Sequence, residues 1–379
     1  MRKIRVLHIV QDDKFVDEPL DAFENDGRFI NNCYIIVRSA DYHFKYIKNT
    51  ERINLLYTKQ MIKELLKRKN YDAIFFHALQ DYHIFKYIPS DKIVIWWAWG
   101  YDLYGEERFI NIPLFKSLTE QYLRKVNSSL ISRIKKFLIK EMPCLIDIRD
   151  GNRMRALKRI DFFQPVIHNE FLMMKRLRGF HADEFYFPNS HNFQSLIEGD
   201  FIKHNEDVII GNSATYTNNH IDVWEKIHSF IPKDSNVIIP INYGNREYAA
   251  YLSENIKSDN VNVRFLKDFL PKDEYFELLD ACGYAVFGVI RQQAMGNVVR
   301  CLAKGVKLFF YRDSVPYKFL VDLGCVVYTI EEVNENSFKI PLTPEQVKNN
   351  KLCLLKDVST VNKTMENAIE KMQKSLMIK

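Results

Sequence analysis

At 379 residues, 47% hydrophobic and 27% charged, the chain is globular and too long for one ordinary core, which suits two domains. No run approaches the ~20 apolar residues of a membrane span, and the six scattered cysteines form no C-x-x-C pair, so reduced core thiols and a cytoplasmic protein are expected. The formal charge of +6 is uneven: Arg124 to Arg178 holds 14 Lys/Arg against 5 Asp/Glu, which suits an anionic surface or substrate.

The start looks superficially like a signal peptide, but Gln11-Asp12-Asp13-Lys14 follows with no small-residue cleavage site. Ile4 to Val10 therefore reads as a first buried strand. Cys33 to Val37 predicts a second strand and Tyr57 to Lys69 an amphipathic helix. Ala73 to Phe76 and Ile93 to Trp96 are short runs of the fully buried kind. From Leu118 to Pro143 the period is helical, with Leu123, Val126, Leu130, Ile134, Phe137 and Leu138 on one face. Arg124, Lys125, Arg133, Lys135, Lys136 and Lys140 fall largely elsewhere. Such a helix can lie on an anionic membrane, or pack its apolar side on the core with a solvated outer face.

Glu184 to Phe187 predicts a strand ending at Pro188, and the polar stretch 189–205 marks a join. The expected division is 1–195, with a basic insertion at about 118–159, and 196–379. In the second half Val208 to Ile210, Val237 to Pro240, Val261 to Leu266, Tyr284 to Phe287, Val306 to Phe310 and Cys325 to Tyr328 read as strands. Helices are expected at Ile221 to Phe230, Lys272 to Cys282, Gln293 to Lys304 and, last, Thr360 to Met377. Strands alternating with helices predict two Rossmann-like doubly wound domains facing a cleft.

In such sheets ligands bind beyond the carboxyl ends of strands. The strongest candidate is the turn Arg291-Gln292-Gln293, between a buried strand and a helix that passes through Gly296 and Asn297. A helix start offers unpaired N–H groups and a positive dipole end, and Arg291 adds a planar charged fork, a combination suited to a diphosphate. Taken alone, the same turn could be an ordinary surface turn with an exposed arginine. Gly211-Asn212-Ser213 and the polar loop through Asn219 follow another strand, and Tyr243 follows a third. Each could be a plain turn or helix cap, with Thr217, Asn218 or Asn219 capping the next helix; together they favour an anionic nucleotide. No G-x-G-x-x-G or Walker pattern is present.

In the first half Asp13, His77 and Asp102 also follow strands. Any of them could take a proton from an attacking hydroxyl, with a core histidine and turn-capping aspartates as the alternatives. No D-x-D pattern or convincing metal-ligand spacing occurs, so neither metal nor other cofactor is expected. No nucleic-acid module is recognisable either.

Several blocks together resemble one family. They are Trp99-Gly100-Tyr101-Asp102-Leu103-Tyr104, Gly211-Asn212-Ser213 with Asn218 or Asn219 and His220-Ile221, and Phe269-Leu270-Pro271-Lys272-Asp273-Glu274-Tyr275. Arg291-Gln292-Gln293 with Gly296 is the strongest of them. The chain is similar to the TDP-N-acetylfucosamine:lipid II N-acetylfucosaminyltransferases, glycosyltransferase family 56. The resemblance is patchy in the first half and firmer in the second. Ala214-Thr215 stands where the family carries Gly-Asp, and Asn297 where Thr is expected.

The resemblance implies a GT-B fold and a dTDP-sugar donor, such as a 4-acetamido-4,6-dideoxygalactose, held by the second domain. It implies a polyprenyl-diphosphate-linked glycan acceptor met by the first, in surface-polysaccharide or enterobacterial-common-antigen-like assembly. A peripheral enzyme on the anionic inner face of the plasma membrane is expected. Arg133, Lys135, Lys136 and Lys140 would meet the membrane or the acceptor. Asp102, Asp13 and His77 are the catalytic candidates, in that order. Gly211, Asn212, Ser213, Asn219, Tyr243, Arg291, Gln292, Gln293, Gly296 and Asn297 would contact the donor. A non-catalytic binder of nucleotide-sugars or lipid diphosphates, or a GT-B enzyme using a UDP-sugar, are the alternatives.

Overall fold

A computed structural model of the chain describes residues 2–105, 108–126, 143–187, 193–199 and 205–378. The chain packs as two compact units. The first comprises 1–110, 134–192 and 359–379, and the second 111–133 and 193–358. The expected single join differs from this division: residues 111–133 go with the second unit, and the end of the last helix goes with the first.

The first unit carries seven parallel strands, β1 (Ile4–Val10), β2 (Phe29–Ile36), β3 (Ile53–Leu56), β4 (Ala73–His77), β5 (Ile93–Trp97), β6 (Phe162–Gln164) and β7 (Asp183–Glu184). Their spatial order is β3-β2-β1-β4-β5-β6-β7. Every residue of β4 and β5 is buried, as expected of inner parallel strands covered on both faces. Helix α1 (Asp17–Asn25) buries Leu20 and Phe23, and Phe23 stacks on Phe187 with ring centroids 3.6 Å apart. Helix α2 (Lys59–Leu66) is shorter than its apolar period suggests. It starts where Thr58 accepts a bond from the Met61 N–H.

Helix α3 (Ser117–Val126) belongs to the second unit. The rest of the expected basic helix, with Arg133, Lys135, Lys136 and Lys140, lies outside the described residues. Helices α4 (Pro143–Arg159) and α5 (His168–Lys175) complete the first unit's run toward β7. The strand expected at Glu184 to Phe187 pairs only at Asp183–Glu184.

After α6 (Phe193–Glu198), the second sheet consists of β8 (Val208–Ile210), β9 (Asn236–Pro240), β10 (Asn262–Leu266), β11 (Tyr284–Phe287), β12 (Lys307–Phe310) and β13 (Tyr328–Thr329). Their order is β10-β9-β8-β11-β12-β13, all parallel. Its helices are α7 (His220–Ile227), α8 (Arg246–Asn255), α9 (Lys272–Ala281), α10 (Met295–Lys304) and α11 (Val315–Asp322). Val223, Ile227, Tyr248, Leu252, Val286 and Phe309 meet in its core.

Two boundaries move for identifiable reasons. The last strand is Tyr328–Thr329 rather than Cys325 to Tyr328. Asn350 brackets Val326, accepting from its N–H at 2.6 Å and donating to its carbonyl at 3.2 Å, and so takes the groups a ladder would use. The last helix, α12 (Pro344–Ile378), begins 16 residues before the expected Thr360. Thr343 and Gln346 bond each other's backbone N–H in a capping box, with Pro344 at the first helical position. Met365, Ile369 and Met372, late in α12, lie in the first unit's core.

Candidate functional site

Both sheets share one logic. Strand order reverses at the first strand of each, so the switch points fall between β1 and β4 and between β8 and β11. There the connections leave in opposite directions and open a crevice at the strand ends.

At the second unit's switch point, Gly211 follows β8 with φ +69°, a conformation that favours glycine. A Cβ there would stand 2.6 Å from His220 Nε2 and 3.1 Å from Asn218 Oδ1. Gly244, after β9, has φ +111°, and a Cβ would stand 2.6 Å from the Ala214 carbonyl. The main chain at Ala214 and Gly244 thus runs in direct contact, drawing the two loops together.

Side chains complete the junction. Gln293 Nε2 donates to Asn212 Oδ1 and Thr215 Oγ1, both at 3.0 Å, while its Oε1 accepts from Thr217 Oγ1 at 2.6 Å. Asn212 Nδ2 donates to Tyr243 Oη at 2.6 Å, presenting a ring that is 40% exposed. Ser213 is fully buried; its hydroxyl meets Thr215 Oγ1, and Asn218 Nδ2 donates to its carbonyl. Gln292 is buried, and Arg291 donates from Nη1 to the Gln292 carbonyl at 2.8 Å.

The start of α10 is open. Ala294 caps it in a left-handed conformation with no side-chain cap bond, so the first N–H groups of this ten-residue helix are available to a ligand. Gly296 is exposed, and nothing lies within 4 Å of where its Cβ would be. Packing therefore does not require glycine there; a bare surface beside the helix start results. Asn297 Nδ2 donates to Tyr275 Oη at 2.8 Å.

Asn219 is a correction. It is fully buried in a left-handed conformation, donating to the carbonyls of Gly288 (2.7 Å) and Leu114 (3.2 Å) and accepting from the Lys116 N–H (2.8 Å). It clamps the 111–117 segment onto the second unit and has no group to spare for a donor. Asp222 works beside it, accepting from the Leu118 and Thr119 N–H groups at the start of α3.

In the first unit a cavity of about 470 Å³ opens at the ends of β1 and β2, lined by Gln11, Asp13, Arg38, Tyr42, Gln80 and Tyr101. Asp13 is the catalytic candidate that reaches it. Burial pushes its carboxyl up, with a partial offset from the Phe15 N–H at 3.2 Å. Asp12 is spent on structure, accepting from Tyr42 Oη and from the N–H groups of Lys45, Tyr46 and Ile47. Burial raises its carboxyl, but these donors outweigh burial and leave it below the ordinary range.

Asp102 and His77 are the other two corrections. Asp102 is fully buried: Oδ2 accepts from Leu79 N–H and Trp96 Nε1–H at 2.8 and 2.7 Å, and Oδ1 from Trp99 N–H at 2.8 Å. It ties the ends of β4 and β5 together. His77 is equally buried, its Nε2 3.0 Å from His8 Nδ1. Asn31 donates to the Phe23 carbonyl and turns its Oδ1 toward His8 Nε2, so His8 donates there and His77 donates to His8. Burial lowers both imidazoles, His8 to about 4, and keeps the pair neutral. Neither Asp102 nor His77 reaches the surface to meet a substrate hydroxyl.

The sequence marks Thr217 and Asn218 as helix caps or members of a polar loop, and singles out neither Thr215 as a site-building group nor Gln11, Arg38, Gln80 and Tyr101 as a cavity wall. Position after a strand is a usable signal for Gln11 and Gln80. Among the described residues no group of three or more His, Cys, Asp or Glu is arranged to hold a metal.

The family profile described as 4-alpha-L-fucosyltransferase, glycosyl transferase group 56, matches residues 157–347, just over half of the chain. Solved structures of the same architecture span nearly the whole chain at low identity. One is from E. coli, named trehalose-6-phosphate, bound with UDP-2-fluoro glucose (10% identity, TM-score 0.57, covering 97% of this chain and 98% of that one). Another is the alpha,alpha-trehalose-phosphate synthase (UDP-forming) of Burkholderia vietnamiensis (8%, 0.54, 98% and 100%). A third is Anabaena HepE in complex with UDP-glucose (10%, 0.54, 98% and 100%). At these identities the likeness establishes the fold.

Proposed function

The chain belongs to glycosyl transferase group 56 and has the GT-B fold, and from that premise we propose that it moves a deoxyamino sugar from a dTDP-sugar to a polyprenyl-diphosphate-linked glycan. That it is a glycosyltransferase follows from its family. The donor and acceptor are the proposal. The observation that carries it is the Arg291-Gln292-Gln293 turn at the second unit's switch point, with Gln293 bonded to the loop after β8.

In this reading the second unit holds the donor. Arg291 and the open N–H groups of α10 stabilise the charge that grows on the departing diphosphate, where such a transfer most needs help. Gly211, Asn212, Ser213, Tyr243 and Asn297 shape the rest of the donor site. The first unit meets the acceptor, and Asp13 takes the proton from its attacking hydroxyl. The +9 stretch with Arg133, Lys135, Lys136 and Lys140 attracts the chain to an anionic bilayer where a lipid-linked acceptor resides. Among the described residues no helix is long and apolar enough to cross a membrane.

Thermal unfolding against dTDP, UDP, GDP and ADP tests the donor, since a ligand at 100 times its Kd stabilises by about 2.7 kcal/mol. A shift with dTDP alone, retained in EDTA, is expected. A shift with UDP alone would replace the dTDP assignment, and one that needs magnesium would remove the Arg-and-helix account of the diphosphate. Vesicle co-sedimentation that ignores anionic lipid at low salt would remove the membrane part.

A further inference from the structure

Two cysteines of the second unit stand against each other where sugar transfer has no use for them. Cys325 lies between α11 and β13, Cys353 lies on the third turn of α12, and the two thiols lie close enough to interact. The main chain around them is held in place on both sides. Gly324 has φ +88°, and a Cβ on it would stand 3.6 Å from Cys353 Sγ. Asn349 Nδ2 donates to the Gly324 carbonyl at 2.8 Å, and the fully buried Asn350 brackets Val326 at 2.6 and 3.2 Å. Residues 324 and 326 are thus pinned to the helical turn that carries Cys353.

Access differs between the two. Cys353 is partly exposed and Cys325 buried; Cys33, Cys282 and Cys301 are buried as well. Of the described cysteines an oxidant therefore reaches Cys353 first, with Cys325 close behind it.

We propose that Cys325 and Cys353 form an oxidisable dithiol that closes to a disulfide on exposure to a peroxide, a modification site separate from the donor and acceptor residues. The Cys353 sulfur attacks the peroxide: an S–O bond forms as the O–O bond breaks, leaving a sulfenic acid and one water. The Cys325 sulfur then attacks the Cys353 sulfur. The S–S bond forms as the S–O bond breaks, and the hydroxyl leaves as a second water with the proton from Cys325. Two thiols give up two electrons in all, and one hydrogen peroxide is reduced. Burial pushes the Cys325 thiol up, which makes it the poorer first nucleophile; its place behind Cys353 assigns it the second step, at a rate set by how readily it ionises.

The cross-link would close a loop that contains β13 and the first turns of α12. Closing it restricts the unfolded chain, so the oxidised protein should resist heat better than the reduced one.

The experiment treats the full chain with hydrogen peroxide, blocks remaining thiols with N-ethylmaleimide and maps peptides without reduction. A linked pair of peptides carrying Cys325 and Cys353, two hydrogens lighter than the free pair, is expected. The midpoint of thermal unfolding should rise by roughly 5–10 °C and return on adding dithiothreitol. Cys353→Ser should abolish both changes while leaving basal transfer unchanged; Cys325→Ser should leave Cys353 to over-oxidise. Recovery of Cys353 as sulfinic acid with Cys325 blocked by maleimide in the wild type would overturn the proposal. So would a cross-link of either cysteine to a different partner.

Discussion

The Gln293 side-chain amide donates to Asn212 Oδ1 at 3.0 Å, joining the loop after β11 to the loop after β8 across the switch point of the second sheet. The same amide meets Thr215 and Thr217, so one side chain sets the shape of the loop that would face a diphosphate.

Removing that junction should loosen the donor site. Gln293→Ala strands Asn212 and Thr217, and nucleotide affinity should fall about 2- to 12-fold, from the 0.5–1.5 kcal/mol of a typical bond. Arg291→Ala should cost on the order of 1.5–3 kcal/mol, or about 10- to 150-fold, because the lost bond is charge-assisted. Arg291→Lys should recover only part, since a point charge cannot reproduce the fork. Calorimetry giving wild-type affinity in Arg291→Ala would remove Arg291 from the site.

Asp13 and Asp102 should separate cleanly. In Asp13→Asn turnover should drop by roughly 10²–10⁴ with nucleotide binding near normal. Asp102→Asn places an amide N–H against donors from Leu79, Trp96 or Trp99, so its main effect should be a lower unfolding temperature. A stable but inactive Asp102→Asn, beside an active Asp13→Asn, would reverse the assignment.

Gly288→Ala should fail for steric reasons alone. The added Cβ would stand 2.3 Å from the Asn218 carbonyl oxygen and 2.4 Å from Val223 Cγ2. Overpacking of this kind costs about 1–3 kcal/mol or more, equivalent to a fall of several degrees in Tm. An unchanged melting curve would mean that the approach of α7 to the end of β11 yields easily.

Glu170 predicts a pH signature. It is fully buried, accepts from the Val166 N–H at 2.8 Å, and burial raises its carboxyl to about 7. A raised carboxylate contributes stability that is present below its unfolded value near 4.5 and is lost as pH rises through about 7. Glu170→Gln should therefore stabilise relative to wild type at pH 8, by up to about 3 kcal/mol, with little gain at pH 4.5. His8 acts in the opposite sense. Its folded value of about 4 gives stability present above 6.5 and lost as pH falls toward 4, so the comparison must be between variants at each pH. Urea unfolding at the two pH values checks it; equal differences would show that Glu170 titrates normally.

Much of the fold was legible because buried parallel strands cannot hide. With both faces covered they become continuous apolar runs, and Ile4–Val10, Ala73–His77 and Ile93–Trp97 all stand out, as does the polar Arg291-Gln292-Gln293 break after β11. What the runs do not encode is who pairs with whom. The order β3-β2-β1-β4 and its counterpart in the second sheet place the switch points, and that order depends on partners far apart in the chain. Roles were hidden for the same reason. Asp13 and Asp102 are both acids after strands, and only packing leaves one beside a cavity and surrounds the other with three N–H donors. Asn219 reads as a ligand residue from its type and place, yet in the fold the Lys116 N–H, 103 positions earlier, donates to its side chain. A side chain's chemistry can be read from its type; whether its polar atoms remain available is decided by neighbours that only the folded chain supplies.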